Sequence, residues 1–144
     1  MGRRRQAREI ALQALYLVDV ASLTADQAFA IVNRRAEPED DKTLDFSRSL
    51  LDGTLSRREE IDGHLTKTAA NWTIARMAAV DRNVLRLALY ELAFDLQTPV
   101  NVVIDEAIEI VRRYSTEDAT KFVNGILDKL KSLRSPDGPP KSPS

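Results

Sequence analysis

Apolar residues recur along this chain at spacings of three and four, and no segment of strand length alternates apolar with polar positions. Ala7, Ile10, Ala11, Ala14 and Val18 predict a first helix, and Leu17 widens its stripe. A second helix is predicted from Thr24. Thr24 and Gln27 have capping-box spacing, and Ala28, Phe29 and Val32 form the apolar face. A third, long helix is predicted from Thr43 to about Asp62, with Leu44, Phe46, Leu50, Leu51 and Leu55 on its apolar side and Gly53 in its interior.

The segment DRNVLRLALYELAFDL is apolar nearly all round, from Val84 to Leu96, which predicts a helix at the centre of a bundle, with Asp81 capping its start. Thr98 and Pro99 read as a capping hydroxyl followed by proline at the first helical position. Val100, Val103, Ile104, Ala107, Ile108 and Val111 then give a clean stripe. Ser115 and Asp118 repeat the capping-box spacing ahead of Ala119, Phe122, Val123, Ile126, Leu127 and Leu130. Together these patterns predict an all-α fold with a single helical domain over residues 1–134, and a disordered Pro/Ser-rich tail over 135–144.

Composition narrows the function. At 144 residues, 43% of them hydrophobic and 30% charged, the chain has material for one domain with a real core. No apolar run approaches bilayer length, and Glu9, Gln13 and Asp19 interrupt any signal-like segment, which predicts a cytoplasmic protein without a membrane partner. The absence of cysteine excludes disulfides and thiolate metal sites, and the single His64, expected at the surface, cannot form a histidine cluster. Phosphate loops, nucleophile elbows and paired nucleophile–base spacings are missing. Asp105, Glu106 and Glu109 read as acids complementing a helix dipole rather than as an acid–base site. Trp72 and Tyr90 are expected in the core or an interface.

The net charge of −1 hides an asymmetry. Arg3, Arg4, Arg5 and Arg8 crowd the first turns of the first helix, while Glu37, Glu39, Asp40, Asp41 and Asp45 make an acidic loop. Arg4 and Arg8 lie one turn apart on that helix, with Arg5 beside them. Cations at a helix N-terminus oppose its dipole by roughly 0.3–1 kcal/mol each when exposed. A bound polyanion offsets that cost through phosphate contacts and counterion release. Lys121 beside Phe122 is the cation-and-ring pairing of a single-strand RNA site. A solvated basic tail and a core phenylalanine remain alternative readings of these two clusters. Gly125, inside the last helix, predicts close approach of another helix.

Four segments in this order, RRRQAREIALQALY, VLRLALYEL, NVVIDEAIEIVRRY and EDATKFVNGILDK, resemble the NusB family of transcription antitermination factors over nearly the whole chain. The resemblance implies about seven helices in two packed subdomains, no enzymatic activity and no cofactor. It implies binding to the single-stranded boxA element of nascent ribosomal RNA as a heterodimer with the small-subunit ribosomal protein NusE, within an RNA polymerase antitermination complex. Carried over by motif position, RNA contacts fall on Arg4, Arg5, Arg8, Gln13, Arg86, Lys121, Phe122 and Asn124. Partner contacts fall on Tyr16 and Asp81, and Asp118 takes the position that modulates RNA affinity. Two other readings keep the fold. One is the helical N-terminal part of a ribosomal RNA cytosine methyltransferase; the other is a homodimeric interaction module.

Overall fold

The computed structural model describes residues 2–37, 40–69 and 71–134; the predicted tail at 135–144, with Pro38 and Glu39 of the acidic loop, lies outside the described residues. Among the described residues there are seven α-helices and no strand: α1 (Gly2–Ala21), α2 (Ala25–Ala36), α3 (Asp41–Ser56), α4 (Arg58–Thr68), α5 (Ala79–Tyr90), α6 (Val100–Tyr114) and α7 (Glu117–Leu130). None is long and apolar enough to cross a membrane.

Local chemistry accounts for most of the boundaries. Thr24 and Gln27 form the predicted box: the Gln27 N–H donates to Thr24 Oγ1 at 3.1 Å, and the Thr24 N–H donates to Gln27 Oε1 at 3.0 Å. Asp40 caps α3 through the Thr43 N–H at 2.8 Å. The predicted long third helix is two helices. Ser56 back-bonds to the Gly53 carbonyl at 2.9 Å, and Arg57 leaves helical geometry at φ −107°, ψ 13°. Gly53 does not break α3; a Cβ there would fall inside the Tyr90 ring, so glycine admits that ring against the helix.

Several predicted caps shift by a residue or more. Helix α5 begins at Ala79, so Asp81 sits in its first turn rather than capping it. Pro99 is the residue before α6, and Thr116, not Ser115, caps α7 by accepting from the Ala119 N–H at 3.0 Å. Gly125 faces open space, and nothing in the packing calls for glycine there. His64 is buried at 8% exposure, between Ile61 and Leu65 on the inner face of α4, instead of at the surface.

Two groups of helices share one continuous core. Helix α1 packs on α2 and α3, helix α5 packs on α4, α6 and α7, and the α1–α5 contact joins the groups. Helix α5 is buried nearly all round, as its pattern predicts, but Asn83 and Arg86 are buried with its leucines. It ends in a π-helical turn over Glu91–Asp95, closed by Leu96 in the left-handed region at φ 60°. Arg134 satisfies carbonyls that this wide turn leaves open, donating to Leu92 O at 2.7 Å and Glu91 O at 2.8 Å.

Candidate nucleic-acid interface

The N-terminal arginines do not fan out together. Arg8 is 3% exposed and grips Glu91 with two hydrogen bonds of 2.9 Å, Nε to Oε2 and Nη2 to Oε1. Burial opposes the Arg8 charge, but Glu91 more than restores it, so the guanidinium is held firmly protonated. Arg5 donates through Nε to the buried Glu106 at 2.7 Å and keeps its remaining side chain half exposed. Glu106 therefore neutralises Arg5; it lies beyond the first turn of α6 and does not serve the helix dipole as expected. Arg4 lies over the Phe46 ring, 4.3 Å from its centroid, and Arg3 pairs with Asp40 at 3.0 Å.

Arg86 also turns inward. It donates to Asp62 at 2.8 and 3.1 Å, to Asp19 at 3.1 Å and to Asn83 at 3.1 Å, and it is 4% exposed. Arg82 adds bonds of 2.6 and 3.0 Å to Asp19, and Asn83 one of 2.9 Å. Burial pushes the Asp19 carboxyl upward, but the bonds from Arg82 and Asn83 and the charges of Arg82 and Arg86 outweigh it and hold the group at about 2. The expectation that Arg8 and Arg86 offer their charges to RNA is corrected on this point. Both are buried and bound to carboxylates, Arg8 through Nε and Nη2 to Glu91 and Arg86 to Asp62 and Asp19.

The accessible cations lie elsewhere. A groove of about 380 Å³ runs along the seam of α1 and α6, lined by Arg5, Glu9, Glu109, Ile110, Arg112 and Arg113. Arg113 reaches Glu9 at 2.8 Å and Arg112 pairs with Glu109, yet their side chains remain 64% and 61% exposed. The Tyr114 hydroxyl donates to Glu9 at 2.7 Å. Sequence reasoning missed Arg112 and Arg113. Their signal was two adjacent cations in the last turn of an amphipathic helix whose other charges are all acidic.

Phe122 lines a second cleft, of about 310 Å³, between the start of α5 and the start of α7. Its ring meets Trp72 edge-on, with centroids 6.4 Å apart and planes at 66°. Arg76 stands 5.6 Å from the Trp72 ring, and Asp81 and Asp118 complete the rim. Asp118, Lys121 and Asn124 are exposed. Asp81 is not: it is 8% exposed, and among the described residues its Oδ1 has no hydrogen-bond partner.

Tyr16 opens onto a third, apolar groove of about 280 Å³ with Gln13, Leu17, Val32, Val80 and Tyr114. Gln13 thus sits with Tyr16 rather than with the arginines, while Asp81, one residue past Val80, faces the Phe122 cleft. Trp72, Tyr16 and Tyr114 are among the few large apolar side chains left exposed, and all three belong to these grooves.

The order of these features follows the helices. Helix α1 runs antiparallel to α5, since Arg8 meets Glu91 and Asp19 meets Arg82. The arginine end and the Phe122 cleft therefore lie at opposite ends of α5, roughly 15 Å apart at about 1.5 Å per residue. Helix α6 connects them. Glu106 holds Arg5, Arg113 and Tyr114 meet Glu9, and Thr116 then lines the cleft.

An all-α protein with a cationic seam and two aromatic grooves is the class that this architecture defines. The NusB family's sequence model matches residues 5–132. The chain is 45% identical over 132 residues to the transcription antitermination protein NusB of Geobacter sulfurreducens, covering 92% of this chain and 96% of that protein. It is 42% identical over 130 residues to the protein of the same name from Bacillus subtilis, covering 90% and 95%. Among solved structures it is similar to T. maritima NusB, at 36% identity and TM-score 0.84 over 93% of this chain and 94% of that one. It is also similar to a chain in a complex of the antitermination factors NusB and NusE with dsRNA, at 30% identity and TM-score 0.85 over 92% and 98%. The chain belongs to the NusB family, a family of transcription antitermination factors and not of enzymes.

Proposed function

We propose that this protein binds the single-stranded boxA element of nascent ribosomal RNA, in the cytoplasm, as a heterodimer with the small-subunit ribosomal protein NusE, and joins RNA polymerase in an antitermination complex. The observation that carries the reading is that α6 runs from one candidate surface to the next: Arg5 and the exposed Arg112 and Arg113 line a groove along it, and the Phe122 cleft begins just past its end at Thr116. The apolar Tyr16 groove lies beside its last residue, Tyr114, and Arg4 is exposed over Phe46 on the α3 side of α1. The similar chain found in complex with NusE and dsRNA supports the NusE-binding and RNA-binding parts of this reading.

In this reading Arg4, Arg5, Lys121 and Asn124 meet phosphates and sugar edges, and Phe122 stacks on a base. Arg8 and Arg86 act as positioning residues that hold α1 and α5 in register. Gln13 and Tyr16 face the protein partner, whose apolar surface fills their groove. Asp118 stands at the cleft rim, where its charge repels a passing phosphate and lowers affinity. Self-association through the Tyr16 groove would compete with the ribosomal protein.

Fluorescence anisotropy of a labelled leader RNA tests the proposal. Binding is expected to be modest alone, to tighten with NusE, and to weaken steeply with salt. Equal affinity for a scrambled strand or for a duplex of the same sequence, with NusE present at moderate salt, sinks the boxA assignment.

A further inference from the structure

Arg3 is the one arginine of the N-terminal run to which the function proposed above gives no task. We propose that Arg3 is a further RNA-phosphate contact held in reserve, and that Asp40, at the start of α3, occupies the phosphate's place on it until RNA displaces the carboxylate. The inference rests on the RNA-binding reading and adds to it one contact residue and one competitor within the same chain.

Three observations converge. First, the two oxygens of Asp40 have separate tasks. Oδ1 caps α3, accepting from the Thr43 N–H and from the Thr43 hydroxyl at 2.8 Å each. Oδ2 faces Arg3 Nη1 at 3.0 Å. The cap does not use the second oxygen, so α3 keeps its start whether or not Arg3 is held. The Thr43 bonds, with the charges of Arg3 and Lys42, hold the Asp40 carboxyl below its usual range, and it stays anionic wherever RNA would bind.

Second, the pair is accessible. The Arg3 side chain is 67% exposed, whereas Arg8 and Glu91 are buried together. An exposed ion pair is weak, and its arginine can exchange one anion for another at little cost. Third, the carboxylate is always at hand. Gln6 donates to the carbonyl of Ala36, the last residue of α2, at 3.3 Å, and Arg4 lies 4.3 Å from the centroid of Phe46 on α3. Both sides of the α2–α3 connection are thus fastened to the start of α1, which keeps Asp40 at high effective concentration beside Arg3. A strand already held by Arg4 and Arg5 has the same advantage, and it displaces Asp40 more readily than a phosphate that meets Arg3 alone.

Asparagine caps a helix about as well as aspartate, so Asp40→Asn removes the charge and spares the start of α3. Thermal melts check this, and Asp40→Ser supplies a second uncharged cap. Anisotropy of a 5′-labelled single-stranded leader RNA is measured with the full-length parent, Asp40→Asn, Arg3→Ala and the double variant. Asp40→Asn is expected to bind about two- to fivefold tighter, the worth of an exposed ion pair, and the gain should shrink as salt rises. In the Arg3→Ala background the same substitution should give no gain, and Arg3→Ala should cost more in the Asp40→Asn protein than in the parent. Asp41→Asn, which removes an equal charge one residue on, should gain less. Equal affinity of the parent, Asp40→Asn and Asp40→Ser overturns the competition and leaves RNA binding standing. A gain that persists in full without Arg3 reduces Asp40 to general repulsion and overturns it as well. Loss of the fold in both capping variants would show that the charge itself holds α3, and would overturn the division of tasks between the two oxygens. No anisotropy change with the parent or any variant, with or without NusE, overturns both this proposal and the RNA-binding reading.

Discussion

The arginines of this protein divide into an inner and an outer set, and the division cuts through a single run of sequence. Arg8 and Arg86 are buried and bound to carboxylates on distant helices; Arg4, Arg112 and Arg113 keep their charge at the surface. Arg5 stands between, anchored at Nε by Glu106 with the rest of its guanidinium outward. The inner set holds the helix that carries the outer set. The helical spacing of Arg4 and Arg8 brings both to the Phe46 ring, at 4.3 and 5.5 Å, but it is no guide to a shared exposed surface, because Arg8 is buried against Glu91 and Arg4 is not.

The strongest way to break this division is to remove an inner member. Arg8→Ala leaves Glu91 buried without a counter-charge, and urea denaturation should show a loss of about 3–5 kcal/mol. Replacing both partners by apolar residues of similar size should recover most of it; a double variant as unstable as the single one would show that packing, not charge, fixes the pair.

Acid tests the second inner cluster. The Asp19 carboxyl is held at about 2 against an ordinary 3.8, so it stabilises the fold above its unfolded value. That contribution, on the order of 2 kcal/mol, should be lost as the pH falls from about 5 towards 2. His64 adds a separate loss. Burial holds it below its ordinary value of 6.5, so the unfolded chain takes up the proton first as the pH falls through that region. Asp19→Asn should remove the lower-pH loss and leave the upper one, measured by thermal melts across the two windows.

The remaining effects are smaller. Phe46→Leu removes the ring beneath Arg4 and should cost about 1 kcal/mol, with RNA affinity falling as Arg4 loses its support. Arg112→Ala and Arg113→Ala should each change stability by less than about 0.5 kcal/mol. If they meet phosphates, each should also reduce the slope of log affinity against log salt by about 1. An unchanged slope would confine the RNA track to the N-terminal arginines.

What could be read from the sequence was local. The capping box at Thr24 and Gln27 and the all-round apolar character of Val84 to Leu89 are set within one or two turns, and the structure realises them as the pattern predicts. The partner of Arg8 lies 83 residues away, and a run of arginines carries no mark of which one will be buried. His64 did carry a signal, since Ile61, His64 and Leu65 share one helical face, but its polarity masked it. Trp72 stands in a segment without periodicity, so only the fold brings it to Phe122. The Asp19–Arg86–Asp62 network joins three helices, and no single helix's pattern contains it.

The position of α1 also governs how the chain can be made. Its buried arginine meets Glu91 across 83 residues, and Arg5 meets Glu106 across 101. On the ribosome α1 emerges long before either carboxylate, with its apolar face and its cations unmatched. Closing contacts of such high sequence separation is slow, and until then the nascent segment is exposed to aggregation and to stray polyanions. A variant lacking α6 and α7 should therefore leave α1 sticky and protease-sensitive rather than yield a smaller working protein.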